Sequence, residues 1–225
     1  MSFKHNDNER NRVPLTAEID RELLFLDAYG MTASALADKQ PVELSTRIAH
    51  QALLPPLIDA LAEDGWAYAG AGHFSAVFVK GGLALKLGFK VNDTGAMYAA
   101  WCRANQALPG VPIIYAISKF SSCYVVLTRR YDKLGVSDED EEVSALKYAV
   151  NCGKGDRLSP FDTVMTGITI REFFDGVATF DLHKDNLMQD HHGGIVITDP
   201  ISYGPCSETL YDARYYPTNE LETAA

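Results

Sequence analysis

Short strand-like runs separated by turn residues occupy two stretches of the chain, with helical patterns around them. Ala76 to Lys80 and Leu83 to Leu87 flank Gly81-Gly82, a two-residue turn that favours a primed hairpin. That register sets Lys86 across from Val77. Beyond Pro109-Gly110, Ile113 to Ile117 and Tyr124 to Thr128 predict two more strands, the second running into Arg129-Arg130-Tyr131 at an interlobe hinge. Leu187 to Gln189 and Ile195 to Thr198 flank Asp190-His191-His192-Gly193-Gly194 and predict a second hairpin. Its midpoint, between His192 and Gly193, brings Asn186 and Asp199 side by side.

Helical signals fill the rest. Thr16 opens a helix with Glu18 and Asp20 in its first turn and Leu23, Leu24, Phe25 and Leu26 on an apolar face. A second helical stretch, about Val42 to Asp64, must bend at Pro55-Pro56. Met97 to Ala104 is helical in composition, with Asp93 as its expected N-cap. The acid block Asp138 to Glu142 reads as the first turn of a helix capped by Ser137, where carboxylates suit the helix dipole. After Pro160, Val164, Ile168, Ile170, Phe173 and Phe174 suit a buried helix ending at Gly176. Residues 1 to 13, polar and charge-rich, are expected to be disordered.

Composition narrows the class. A chain of 225 residues with 47% hydrophobic content can bury one good core, divided here between two lobes, and it holds no long apolar stretch for a membrane span. The N-terminus lacks the apolar segment of a secretory signal, and Cys102, Cys123, Cys152 and Cys206 show no C-x-x-C spacing, so reduced thiols in a cytoplasmic setting are expected. A net charge of -10 with no basic stripe argues against direct nucleic-acid binding.

The chemistry concentrates at three places. In Phe180-Asp181-Leu182-His183-Lys184-Asp185-Asn186, an aspartate able to take a hydroxyl proton precedes an asparagine by five positions, and Asp199 returns thirteen residues after Asn186. A carboxylate and an amide oxygen converging at a hairpin's open end suit Mg²⁺, which shares oxygen ligands with substrate phosphates. Each acid alone is an ordinary loop residue; the offsets together point to phosphate transfer. Gly70-Ala71-Gly72-His73-Phe74-Ser75-Ala76-Val77 fits a phosphate-covering glycine loop with Ser75 at its third glycine. Leu83-Ala84-Leu85-Lys86 follows it, the small Ala84 leaving room for a base and the Lys86 ammonium placed to reach phosphates held by loop amides. The helix that would supply this lysine with a glutamate contains no acid, so its partner is not legible.

These residues, with Cys123 to Leu127 and Ile197-Thr198-Asp199-Pro200, resemble the early serine/threonine protein kinases of T-seven-type bacteriophages over roughly Gly65 to Tyr203. The resemblance implies an α+β, reduced two-lobed protein-kinase-like fold: a helical extension over residues 1–64, a nucleotide-binding antiparallel β-rich lobe over 65–131 and a helical catalytic lobe over 132–225. It also implies use of ATP with Mg²⁺, action in the host bacterial cytoplasm on host proteins of transcription, RNA processing and translation, and self-phosphorylation, with Ser202 the nearest hydroxyl. By motif, Asp181 would be the catalytic base, Asn186 and Asp199 the metal ligands, Lys86 the nucleotide lysine, and Gly70, Gly72, Ser75, Val77 and Ala84 the nucleotide site.

Departures leave other expectations open. Thr179-Phe180 replace the usual His-Arg before the aspartate and Pro200-Ile201 replace Phe-Gly, so control through a phosphorylated activation loop is not expected. Only 26 residues follow Asp199, 225 minus 199, so a peptide platform must be reduced or built elsewhere, the N-terminal helices being one source. Asp-Leu-His-x-x-Asn also occurs in aminoglycoside-type kinases, which makes a small hydroxylated acceptor one alternative. A catalytically silent relative that binds a host protein is the other.

Overall fold

A computed structural model describes residues 17–39, 52–72, 74–89 and 94–202. Its central feature is an antiparallel five-stranded sheet of β1 (Ala67–Ala71), β2 (Ser75–Lys80), β3 (Leu83–Gly88), β4 (Ile114–Lys119) and β5 (Tyr124–Arg129), ordered β1-β2-β3-β5-β4. The Gly81-Gly82 hairpin has the expected register, with Lys80 opposite Leu83 and Val77 opposite Lys86. Gly81 takes φ +53°, the positive value that the first position of a primed hairpin turn demands and glycine supplies without steric cost.

Side chains alternate across this sheet, and each face has its own cover. Phe78, Leu85, Leu87, Val125 and Leu127 point to one side, each fully buried. There they meet α1 (Ala17–Ala37) and α2 (Leu54–Glu63) through Leu26, Tyr29, Ala33, Leu57 and Leu61. Burial of one such leucine or phenylalanine contributes roughly 1.5–3 kcal/mol, so this layer is a stabilising core in its own right. A buried acid within it is matched: Glu22 accepts from the Tyr29 hydroxyl at 2.7 Å and from Lys80 Nζ at 2.6 Å. Helices α1 and α2 therefore lie behind the sheet, on the face opposite Lys86.

The second core lies beyond the other face. It joins α3 (Thr94–Ala104), α4 (Glu141–Cys152) and α5 (Asp162–Phe174) to the three-stranded sheet of β6 (Asp132–Lys133), β8 (Leu187–Gln189) and β9 (Ile195–Ile197). A short ladder of β7 (Thr179–Phe180) with β10 (Ile201–Ser202) closes it. Together these layers make an α+β, two-lobed fold with a β-rich and a helical part.

Several local expectations change. The stretch before Asp64 forms α2 only from Leu54, and Pro55 and Pro56 sit in its first turn rather than at a bend, because a helix start has no partner for the amide that proline lacks. The cap of α4 is Asp140, not Ser137; its carboxylate accepts from the amides of Glu142 at 3.0 Å and Val143 at 3.3 Å. On α5, Phe173 is 58% exposed although Phe174 is buried, since adjacent helical residues point about 100° apart. Thr16, Asp93, the segments 1–13 and 40–51, and residues after Ser202 lie outside the described residues.

Candidate active site

Between the sheet's second face and the helical core lies a cleft of about 990 Å³, lined by Gly70, Gly72, Ser75, Val77, Ala84, Lys86, Asp181, Asn186 and Asp199. All nine residues singled out from the sequence meet there. Its roof is the glycine segment between β1 and β2, where the Gly72 amide donates to the Ser75 carbonyl at 2.8 Å. A Cβ at Gly70 would have no neighbour within 4 Å, so the backbone there is uncrowded where it lines the cleft.

The inner wall is apolar. Val77 on β2, Ala84 on β3, Val126 on β5 and Ile114 on β4 alternate with the residues that face α1 and α2. Thr128 lies opposite Ala84 on the neighbouring strand, and its hydroxyl is turned to the Ile113 carbonyl at 2.7 Å. Ile114, Val126 and Thr128 match no motif; the signal for them is the alternation of strand faces set by Lys86. The wall ends at Tyr131, whose hydroxyl accepts from the Ile113 amide at 2.8 Å and whose pKa burial pushes up to about 12.

Charge enters from the floor. The β8–β9 hairpin pairs Leu187 with Ile197 and Gln189 with Ile195, so Asn186 stands across from Thr198 rather than Asp199, one residue from the expected register. The Thr198 amide and hydroxyl both donate to the Asn186 carbonyl at 2.9 Å, and Asp199 follows immediately, at the mouth of the hairpin. Asn186 Nδ2 donates to the Asp181 carbonyl at 3.0 Å and lies 3.1 Å from His183 Nε2. This use of the amide nitrogen leaves Oδ1 as the atom available to a cation.

Among the described residues Lys86 pairs with Asp199, with Nζ 3.0 Å from Oδ2. Helix α3 passes alongside without an acid, and contributes Thr94, Gly95, Tyr98 and Cys102 to the cleft instead. The Tyr98 hydroxyl donates to the Ile197 carbonyl at 2.7 Å, two residues before Asp199, and burial raises its pKa well above 10.0, so it stays a donor. Burial likewise pushes the Cys102 thiol up to about 12. Asp181 is exposed at the opposite side, its amide bonded to the Pro200 carbonyl at 3.1 Å.

Two oxygen donors of the hard type, one amide and one carboxylate, are the ligand chemistry that suits Mg²⁺ bound jointly with phosphates. A glycine-containing loop, an ammonium and an apolar slot suit the phosphates and base of a nucleotide. The cleft thus brings together residue types that suit a nucleotide, its phosphates and a divalent cation.

The family model described as Bacteriophage T7 protein kinase matches residues 28–218, and the chain belongs to that family. No curated protein matches it. Among solved structures, the kinase of Cydia pomonella granulovirus is similar at 12% identity and a TM-score of 0.36, covering 63% of this chain and 56% of that one. WbdD, in a co-crystal with the kinase inhibitor LY294002, is similar at 10% identity and a TM-score of 0.35, over 65% of this chain and 35% of its own. The chain thus matches little more than half of the first of these proteins and about a third of the second. Among the described residues, no helix is long and apolar enough to cross a membrane.

Proposed function

We propose that the chain is an ATP-dependent serine/threonine protein kinase that modifies proteins of an infected bacterium, in its cytoplasm, and also modifies itself. One observation carries the reading: Lys86, Asp181, Asn186 and Asp199, drawn from separate elements, open on one cleft with Gly70 and Gly72 of the glycine segment. In this reading the loop amides and Lys86 hold the triphosphate, and Val77, Ala84, Ile114 and Val126 hold the base. Asn186 Oδ1 and the Asp199 carboxylate would hold Mg²⁺, which neutralises charge on the β- and γ-phosphates when bound.

Asp181, exposed and within the same space, accepts the proton of the acceptor hydroxyl as its oxygen bonds to the γ-phosphorus and the bond to the bridging oxygen breaks, releasing ADP. Membership of a protein-kinase family supports a protein acceptor. Self-modification at Ser202 is supported by its place in the cleft lining, three residues beyond Asp199. Phosphopeptide mapping without phosphate on Ser202 would reject that assignment.

The decisive experiment offers γ-labelled ATP and Mg²⁺ to the purified chain with dephosphorylated casein, an aminoglycoside or no acceptor. Label is expected on casein and on the chain, and Asp181→Asn is expected to lower transfer by about 10²–10⁴-fold, the usual worth of a general base, with an unchanged melt. Label on the aminoglycoside alone would make this a small-molecule kinase. Absence of label everywhere, with ATP bound or not, would leave only a role in binding a host protein.

A further inference from the structure

Both neighbours of Asp181 are gripped from the helical core by residues that no kinase motif contains. Asn151, in the last turn of α4, faces Leu182 with its whole amide: Oδ1 accepts from the Leu182 amide at 2.8 Å, and Nδ2 donates to the Leu182 carbonyl at 2.8 Å. One side chain thus satisfies both backbone groups of a residue whose own side chain is buried. On the other flank, the Arg171 guanidinium of α5 lies over the Phe180 ring, 4.1 Å from its centroid. Arg171 Nη1 also donates to the carbonyls of Val150 at 3.3 Å and Asn151 at 3.1 Å, so the guanidinium ties α5 to the end of α4 that carries Asn151.

The geometry points to Asn151 and Arg171 as positioning residues for the aspartate between Phe180 and Leu182, and we infer that together they hold its backbone in place for the reaction. The inference rests on the reading of Asp181 as the proton acceptor. The segment needs such a device, because β7 is only two residues long and the turn after it has no helical or sheet ladder until Lys184. Asp181 has its amide on Pro200 and its carbonyl on Asn186 Nδ2, and its side chain is exposed. With the flanking residues fixed, the carboxylate keeps one approach to an acceptor hydroxyl; with Leu182 released, it does not.

The test uses the full chain, casein and labelled ATP, with Asn151→Ala, Arg171→Gln and Arg171→Lys. A misplacement of about 1 Å at a reacting group costs on the order of 100-fold, so Asn151→Ala is expected to lower kcat by about that factor. KM for ATP should stay within about twofold, because Lys86 and the glycine loop are untouched; a purely structural loss would move both together. Arg171→Lys is expected to keep more activity than Arg171→Gln, since an ammonium still sits over Phe180. A folded Asn151→Ala with kcat within about threefold of the parent overturns the inference, and if that variant does not fold, equal activity of the two Arg171 variants and the parent overturns it. Hydrogen exchange at the Leu182 amide reads the grip without turnover: protection in the parent and its loss in Asn151→Ala are expected. An unprotected amide in the parent overturns the grip itself, whereas a parent with a protected amide and no transfer activity overturns the kinase reading alone.

Discussion

The pairing of Lys86 with Asp199 concentrates two tasks on one carboxylate. Asp199 holds the lysine at 3.0 Å through Oδ2 and, in the proposed function, supplies oxygen to the metal as well. Helix α3 contains no acid, so this ion pair ties the lysine to the segment after β9. The pair is partly solvated, with side chains 20% and 39% exposed, and a pair of this kind is worth about 0–1 kcal/mol to the fold. Lys86→Met is therefore expected to leave the melting temperature within a few degrees of the parent, while phosphate transfer falls by about 10²–10³-fold, the loss typical of removing one electrostatic donor from a transition state. Single-turnover transfer and a thermal melt on the same preparation check both halves, and a variant that keeps near-parent transfer would remove Lys86 from the proposed site.

At the scale of elements, α3 replaces an ionic link by a buried neutral one. Tyr98 is packed among Trp101, Phe174 and the β9 residues, and its hydroxyl is committed to the Ile197 carbonyl, whose own amide donates to the Gly110 carbonyl at 2.8 Å. Helix, loop and the strand leading to Asp199 are thereby joined at one residue. Tyr98→Phe keeps the ring and strands that carbonyl, so an unfolding free energy lower by about 1–3 kcal/mol is expected from urea titration; a change below about 0.5 kcal/mol would mean that water or another donor takes over. None of this link was legible in the sequence, because a tyrosine in an apolar helix looks the same whether or not its hydroxyl has found a carbonyl 99 residues away. The same holds for Asn151 and Arg171, whose contacts with Leu182 and Phe180 leave no periodicity to read. What was legible had local causes. Gly81-Gly82 set the β2–β3 register, and the spacing from Asp181 to Asn186 located the floor of the cleft. The β8–β9 register was missed by one residue since the turn Asp190 to Gly194 closes with the Asp190 carboxylate accepting from the His192 and Gly194 amides, both at 2.8 Å, which shifts its centre onto His192.

For the whole molecule, one sheet serves two cores, and each core holds a buried thiol and a buried phenol. Cys123 and Tyr29 lie on the side of α1 and α2, Cys102 and Tyr98 on the side of the cleft. Burial pushes both thiols from 9.0 up to about 12, and Tyr29 and Tyr131 from 10.0 up to about 12. The sign follows from proton counting: above pH 9 the unfolded chain gives up thiol protons that the native chain keeps, so it binds fewer protons and gains stability relative to the fold as pH rises. Stability from these groups is thus complete below pH 9 and drains away between 9 and about 12, first through the thiols and then through the phenols. Each fully buried thiol contributes a slope of up to about 1.4 kcal/mol per pH unit in that window. Urea midpoints are expected to be level in this respect from pH 7 to 9 and to fall steadily at pH 10 and 11. Cys123→Ala is expected to shallow the fall by one thiol's share while leaving the cleft unaltered, because Cys123 lies on the sheet's far side with its Sγ against the Gly30 carbonyl at 3.4 Å. A midpoint that stays constant through pH 11 would show that the thiols reach water in the native state, and with it that the two cores are not packed as closely around the sheet as their burial requires.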